Sequence, residues 1–181
     1  MALHLWHNLQ PGPNPPDVIY AVVEVPKGSR NKYEYSKTAG VIKLDRVLYS
    51  PLHYPGDYGF IPQSFYGDGD PLDILVMMTE PTFPGCVIEV RPIGMLKMLD
   101  RGEHDDKVLA VPATDPQFDD YHDLPDLSRH FPQEVEHFFK VYKQLEGKPV
   151  ESQGWVGASE AKQTIVEALK LYRDTFPPQR I

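Results

Sequence analysis

Apolar positions in the first two thirds of the chain fall into short runs with the alternation or β-branched content of strands, and in the last third they take helical spacing. Residues 18–25 (VIYAVVEV) predict a strand that Pro26, Gly28 and Ser29 end. Residues 32–35 alternate, 37–40 turn the chain, and 41–48 predict another strand, with Lys43, Asp45 and Arg46 interrupting its apolar run. Residues 50–71 are dense in Tyr, Pro, Gly and Asp and predict loops around a short strand near 58–61. Residues 73–78 (DILVMM) predict a buried strand, 87–98 one or two more broken at Pro92 and Gly94, and 107–111 a last one. Before residue 112 this makes six or seven short strands.

Over residues 133–145 the set Val135, Phe138, Phe139, Tyr142 and Leu145 marks one helical face, with Pro132 at a starting position and Gly147 at a stop. Over 159–172 Ala161, Ile165, Ala168, Leu169 and Tyr172 repeat the pattern, and Pro177-Pro178 closes it. Strands followed by helices imply an α+β domain. Pro11, Gly12, Pro13, Pro15 and Pro16 make residues 1–16 an extended N-terminal arm, and no linker divides 1–181.

Composition narrows the function classes. The length of 181 residues suits one core, and 19 prolines favour a short-stranded, loop-rich body over a helical bundle. A formal net charge of −8 argues against nucleic-acid or anionic-membrane partners and suits divalent cations if the carboxylates converge. Cys86 is the only cysteine, so no intramolecular disulfide forms and a reducing cytoplasm is the expected setting. No stretch of about 20 apolar residues predicts a membrane span, and no basic start with an apolar run predicts a signal peptide.

The chemistry concentrates in two acidic segments. Asp68-Gly-Asp70-Pro-Leu-Asp73 places three carboxylates at the mouth of a hydrophobic strand; Asp68 and Asp70 share a side if the segment is extended. Carboxylates that close repel one another unless a cation or solvent separates them. An acidic turn is the plain alternative, and the glycine and glutamate positions of an EF-hand loop are missing. Asp100, Glu103, Asp105 and Asp106 crowd a second segment (DRGEHDDK), for which a solvated hairpin tip is the alternative; His104 within it reads as surface. All these donors are hard oxygens, which select Mg²⁺, Ca²⁺ or Mn²⁺ over zinc. A cationic and aromatic set, Lys32, Arg46, Tyr54, Tyr58, Tyr142 and Lys143, could hold phosphate oxygens. Each could equally be solvated surface or core, and spacing alone does not bring them together.

The segments E24-V-P, K32-Y-E34, D45-R46, Y54-P-G-D-Y58-G, D68-G-D70-P-L-D73, R91-P-I-G, L96-K-M-L-D100, D105-D-K107, H137-F-F-K-V-Y142-K143 and G154-W, taken together and in this order, resemble the family I soluble inorganic pyrophosphatases of the short prokaryotic type. That resemblance implies a small OB-like closed β-barrel with two C-terminal flanking helices. It implies Mg²⁺-dependent hydrolysis of inorganic pyrophosphate to two orthophosphates, with several ions per site and Mn²⁺ or Co²⁺ as possible substitutes. It implies Asp68, Asp73, Asp100 and Asp105 as metal ligands, helped by Glu34 and Glu24, with Asp70 as general base. Lys32, Arg46, Tyr58, Tyr142 and Lys143 would bind substrate, and Lys107 would support the acidic loop. A homo-oligomer, by resemblance a hexamer, is expected. Two positions depart from the bacterial pattern: Arg101 stands where several relatives carry Glu, and Val141 where hexamers often carry a histidine one turn after His137. Rival classes are a phosphohydrolase acting on nucleotides or polyphosphate, an OB-type binding module, which the acidic charge disfavours, and an inactive homologue.

Overall fold

The computed structural model describes residues 4–177. Its main sheet is built from β1 (Ile19–Val25), β4 (Asp57–Phe60), β5 (Asp73–Val76), β6 (Val87–Asp100), β7 (Glu103–His104), β8 (Lys107–Pro112) and β9 (Val150–Gly157). β2 (Asn31–Ser36) and β3 (Val41–Val47) form a separate hairpin. Strand pairing runs β1-β4-β5-β8-β6 and returns from β6 to β1, so these strands close into a ring, the OB-like barrel that the resemblance implies. The β5–β8 seam is parallel and sets Asp73 opposite Lys107; the other seams of the ring are antiparallel.

Gly59 in the Tyr58-Gly step serves the ring. A Cβ there would lie 1.8 Å from the Val22 carbonyl oxygen, so only glycine lets β4 lie this close to β1. β6 is one long strand, not two, because the break expected at Pro92 and Gly94 is absorbed as a register shift against β8. Its second half carries β9, which sequence periodicity does not reveal: Glu151, Ser152 and Gln153 are polar, and Gly154 takes a φ of 87° in mid-strand.

Two helices, α1 (His130–Val141) and α2 (Ala158–Thr175), flank the ring, with β9 between them in the chain. α1 starts and stops earlier than its predicted 133–145. Pro132 falls in the first turn, where its missing N–H costs nothing. The chain then tightens into a 3-10 turn over Gln144–Glu146, which Gly147 ends in a left-handed conformation, leaving Tyr142 and Lys143 just past the helix end. α2 gains an N-terminal partner from far away: the Asp123 carboxylate accepts the Ala158 N–H at 2.8 Å. Pro178, half of the predicted stop for α2, lies outside the described residues.

Val135, Phe138 and Phe139 of α1 pack with Tyr54, Tyr58, Leu75 and Leu109, while Ala161, Ile165 and Leu169 of α2 pack with Ile19, Ile74, Met95 and Val108. The two helices thus bury opposite sets of strand residues. The N-terminal segment departs, at residues 5–8, from the extended arm expected for residues 1–16. Residues 1–3 lie outside the described residues, and 5–8 form a turn in which the Asn8 N–H donates to the His4 carbonyl at 2.8 Å. The turn forms because Trp6 is buried (4% exposed) among Val22, Tyr35, Phe60 and Tyr172. Among the described residues no helix is long and apolar enough to cross a membrane.

Candidate active site

A cavity of about 360 Å³ opens where the strand ends of the ring meet the β2–β3 hairpin and the end of α1. β1 contributes Glu24, β2 contributes Lys32, Glu34 and Tyr35, and β4 contributes Tyr58 and Phe60. The loop before β5 supplies Asp68, Asp70 and Pro71, and β5 begins with Asp73. The β6–β7 turn brings Asp100, Arg101 and Glu103, followed by Asp105 and Lys107 at the start of β8. Tyr142 and Lys143 close the cavity from the end of α1.

Both acidic segments are turns as well as parts of the site. Asp68 and Asp70 lie on a bend, not an extended segment: Asp68 Oδ1 accepts the Asp70 N–H at 3.0 Å and Gly69 has a φ of 81°. Arg101 and Gly102, with φ of 53° and 87°, make the tight β6–β7 turn that pairs Asp100 with Glu103. Asp106 points the other way. It is 1% exposed, accepts the Met98 N–H at 2.9 Å and the Tyr66 hydroxyl at 2.5 Å, and so anchors the loop from inside. His104 is exposed and does not line the cavity.

Lys107 holds the centre. Only 3% of its side chain is exposed; its Nζ lies 2.5 Å from Asp73 Oδ2 and also pairs with Asp105 Oδ1. The Tyr58 hydroxyl donates to the same Asp73 oxygen at 2.5 Å. Burial alone would lower the Lys107 pKa, but the Asp73 and Asp105 charges outweigh it and push it up. Burial, joined by Asp73, raises Asp105 against the pull of Lys107. At the α1 side Lys143 Nζ donates to Asp100 Oδ2 at 2.8 Å; burial would raise Asp100, but this hydrogen bond and the surrounding cations bring it below the usual carboxylate range. Arg101 adds a contact to Asp100 at 3.5 Å from an otherwise exposed side chain. Lys32 pairs with Glu34 and lies 3.7 Å from Asp45.

The cavity lining carries eight carboxylates and five cationic side chains. The excess is felt electrostatically. Burial and then the Asp73 charge raise Asp68 to about 6. Burial raises Glu24 to about 8, with Asp73 adding and the Tyr35 N–H, which donates to it at 2.6 Å, opposing. A carboxyl raised in the fold from 4.5 to about 8 stabilises the fold fully below pH 4.5, and that contribution is lost as pH rises through 8. In chelator-treated protein the melting temperature is therefore expected to fall between pH 5.5 and 8.5, and Glu24→Gln to flatten that fall. Equal slopes for the two proteins would refute this account of Glu24.

Twelve of the thirteen site residues expected from sequence line this one cavity; Arg46 does not. Its guanidinium is held by Asp45 at 2.5 Å and by Glu146 Oε1 at 2.8 Å, with Nη2 buried and without a hydrogen-bond partner. Sequence reasoning misses Glu146, and likewise Lys37, which pairs with Asp70, because their partners lie 100 and 33 residues away. Glu103 is legible only as part of the acidic cluster, and its place opposite Asp100 across a two-residue turn is the signal that promotes it.

Among the described residues no three His, Cys, Asp or Glu side chains are gathered tightly enough to hold a metal ion as they stand. The donor set nonetheless suits hard divalent cations. It consists of oxygens, outnumbers the local cations, and includes carboxyls, Asp68 and Glu24, that burial and mutual repulsion hold above their ordinary pKa.

Comparison with known proteins identifies the family. The family model described as inorganic pyrophosphatase matches residues 21–173. The inorganic pyrophosphatase of Haloferax volcanii is 53% identical over 175 residues, covering 96% of this chain and 99% of that protein, and the one from Halobacterium salinarum is 54% identical over 174 residues, covering 96% and 98%. The crystal structure of inorganic pyrophosphatase from Thermus thermophilus superposes with a TM-score of 0.91 at 44% identity, covering 94% of this chain and 99% of that one. With a family match across most of its length and relatives at this identity, the chain belongs to the inorganic pyrophosphatase family.

Proposed function

We propose that this chain hydrolyses inorganic pyrophosphate to two orthophosphates with the help of Mg²⁺. The observation that supports this best is the convergence of the carboxylates of both acidic segments around the buried Lys107 ammonium, with Lys32, Tyr58, Tyr142 and Lys143 in the same cavity. Asp68, Asp73, Asp100 and Asp105, aided by Glu34 and Glu24, would hold divalent ions. Such ions neutralise phosphate charge and acidify an attacking water.

The chain's own residues account for the rest. Asp70 accepts the proton of the attacking water. The water oxygen bonds to one phosphorus as the bridging P–O bond breaks, and the second phosphate leaves with that electron pair. Lys32 and Lys143 place positive charge against the phosphate oxygens, and the Tyr58 and Tyr142 hydroxyls orient them. Arg46, with one buried nitrogen free of protein partners among the described residues, would join this set by reaching from the Asp45–Glu146 pair. The lone Cys86 fits a reducing cytoplasm. Assembly into a homo-oligomer, a hexamer in the short family members, is part of the same reading.

The test is phosphate release from pyrophosphate by the purified chain, with Mg²⁺ and with excess chelator. Rapid release that chelator reduces to background is the expected result. Absence of release from folded protein with Mg²⁺, Mn²⁺ and Co²⁺ would overturn the proposal and point to Arg101 as the departure that matters.

A further inference from the structure

Lys37 sits on the turn between β2 and β3, outside every motif that marks the family resemblance, yet its Nζ pairs with Asp70. What holds it there is the N-terminal turn, which also matches no motif. The His4 ring, through Nε2, hydrogen-bonds the Lys37 carbonyl at 2.8 Å, and the Leu5 N–H donates to the Tyr35 hydroxyl at 3.0 Å. The Lys37 ammonium lies 5.6 Å from the centre of the Trp6 ring, a cation–π distance.

The same Trp6 is fastened to the other side of the pair. Its Nε1 donates to the Ser64 carbonyl at 2.8 Å, and its own carbonyl accepts the Gln63 N–H at 2.9 Å. Ser64 is fully buried, and its hydroxyl accepts the Leu72 N–H at 2.8 Å, tying the two ends of the loop that carries Asp68 and Asp70. One side chain thus fixes both the lysine and the base of the loop bearing the aspartate. Stability does not explain the Lys37–Asp70 pair. The two side chains are 43% and 52% exposed, and ion pairs that open to water contribute almost nothing to folding.

We infer that Lys37 is a further positioning residue of the reaction: mounted on the N-terminal turn by Trp6 and His4, it aims the Asp70 carboxylate into the cavity. This rests on Asp70 acting as the base. It gives the N-terminal turn a role in the active site, although none of its residues lines the cavity.

A double-mutant cycle on the full chain tests it, with steady-state hydrolysis of Mg²⁺-pyrophosphate and thermal melting as readouts. Lys37→Met is expected to lower kcat by about 3- to 30-fold, within the range of coupling between groups in contact. KM and melting temperature should hold nearly constant, and Lys37→Arg should restore most of the rate. In an Asp70→Asn background Lys37→Met should cost nothing more. The chain has two tryptophans, so Trp155→Phe isolates Trp6 emission; that emission should shift on Lys37→Met and much less on Lys37→Arg. An equal loss of kcat in both backgrounds, a rise in KM alone, or Trp6 emission indifferent to Lys37→Met overturns the inference. Undiminished turnover by Asp70→Asn overturns instead the assignment of the base, and the inference with it.

Discussion

Asp70→Asn is expected to lower kcat for pyrophosphate by about 10²- to 10⁴-fold, the usual worth of a positioned general base. Melting temperature and divalent-ion binding should stay close to the parent. The side chain is 52% exposed, and its ion pair to Lys37 is as open to water as itself, so its loss removes little from the fold. Asp70 is also free of the role that Asp73 and Asp105 share, since neither Lys107 nor Tyr58 contacts it. Steady-state phosphate release in Mg²⁺, with calorimetric titration of the metal alongside, checks both halves of the statement. An Asp70→Asn protein that binds metal and turns over fully at neutral pH would remove Asp70 from the mechanism.

Lys107→Met should produce the largest loss of stability of any single change in the site. It deletes the ammonium between Asp73 and Asp105 and leaves two carboxylates confronting each other in a largely enclosed place. Breaking a buried ion pair from one side costs about 3–5 kcal/mol. For a domain of this size that corresponds to a melting temperature lower by roughly 6–20 °C in chelator. Saturating Mg²⁺ should restore part of the difference, because a bound cation supplies the missing charge and binding to the folded state alone stabilises it. Scanning calorimetry of the variant with and without Mg²⁺ measures both numbers. A melting temperature equal to the parent's in chelator would show that the two carboxylates do not depend on Lys107 for compensation.

Elements with a strong local rhythm are legible in the sequence itself. β1, β5, β8 and α2 fall within a few residues of their predicted bounds, because a continuous apolar run or a repeated helical face needs no knowledge of its neighbours. β9 is not legible in this way. Its polar residues and mid-strand glycine look like a loop until β6 offers it a partner. Pro92 and Gly94 look like an interruption until the ring absorbs them as a bulge. Trp6 in a proline-rich arm carries no sign that Ser64 receives its indole N–H.

The site divides along the same line. The density of carboxylates in 68–73 and 100–106 is visible in the chain, as is the hard-oxygen chemistry it suits. That Lys107 supports the acidic segments follows from sequence only through resemblance, since its bridge between them depends on β5 and β8 lying side by side. Arg46 is matched by motif, but its partner Glu146 belongs to the 3-10 turn after α1, and no local spacing joins them.

The pairing of Asp73 with Lys107 has a meaning for the fold apart from any reaction. These residues stand opposite each other across the parallel seam between two nearly all-apolar strands, DILV and KVLAVP. Sliding one such strand past the other by a residue exchanges one aliphatic contact for another of similar kind, and hydrophobicity alone discriminates poorly between the two alignments. The charged pair does discriminate: a slip turns the lysine to the opposite face of the sheet and strands its ammonium among hydrocarbon, away from both carboxylates. The ammonium at the centre of the cavity therefore also serves as the peg that selects one alignment of the barrel over its near neighbours.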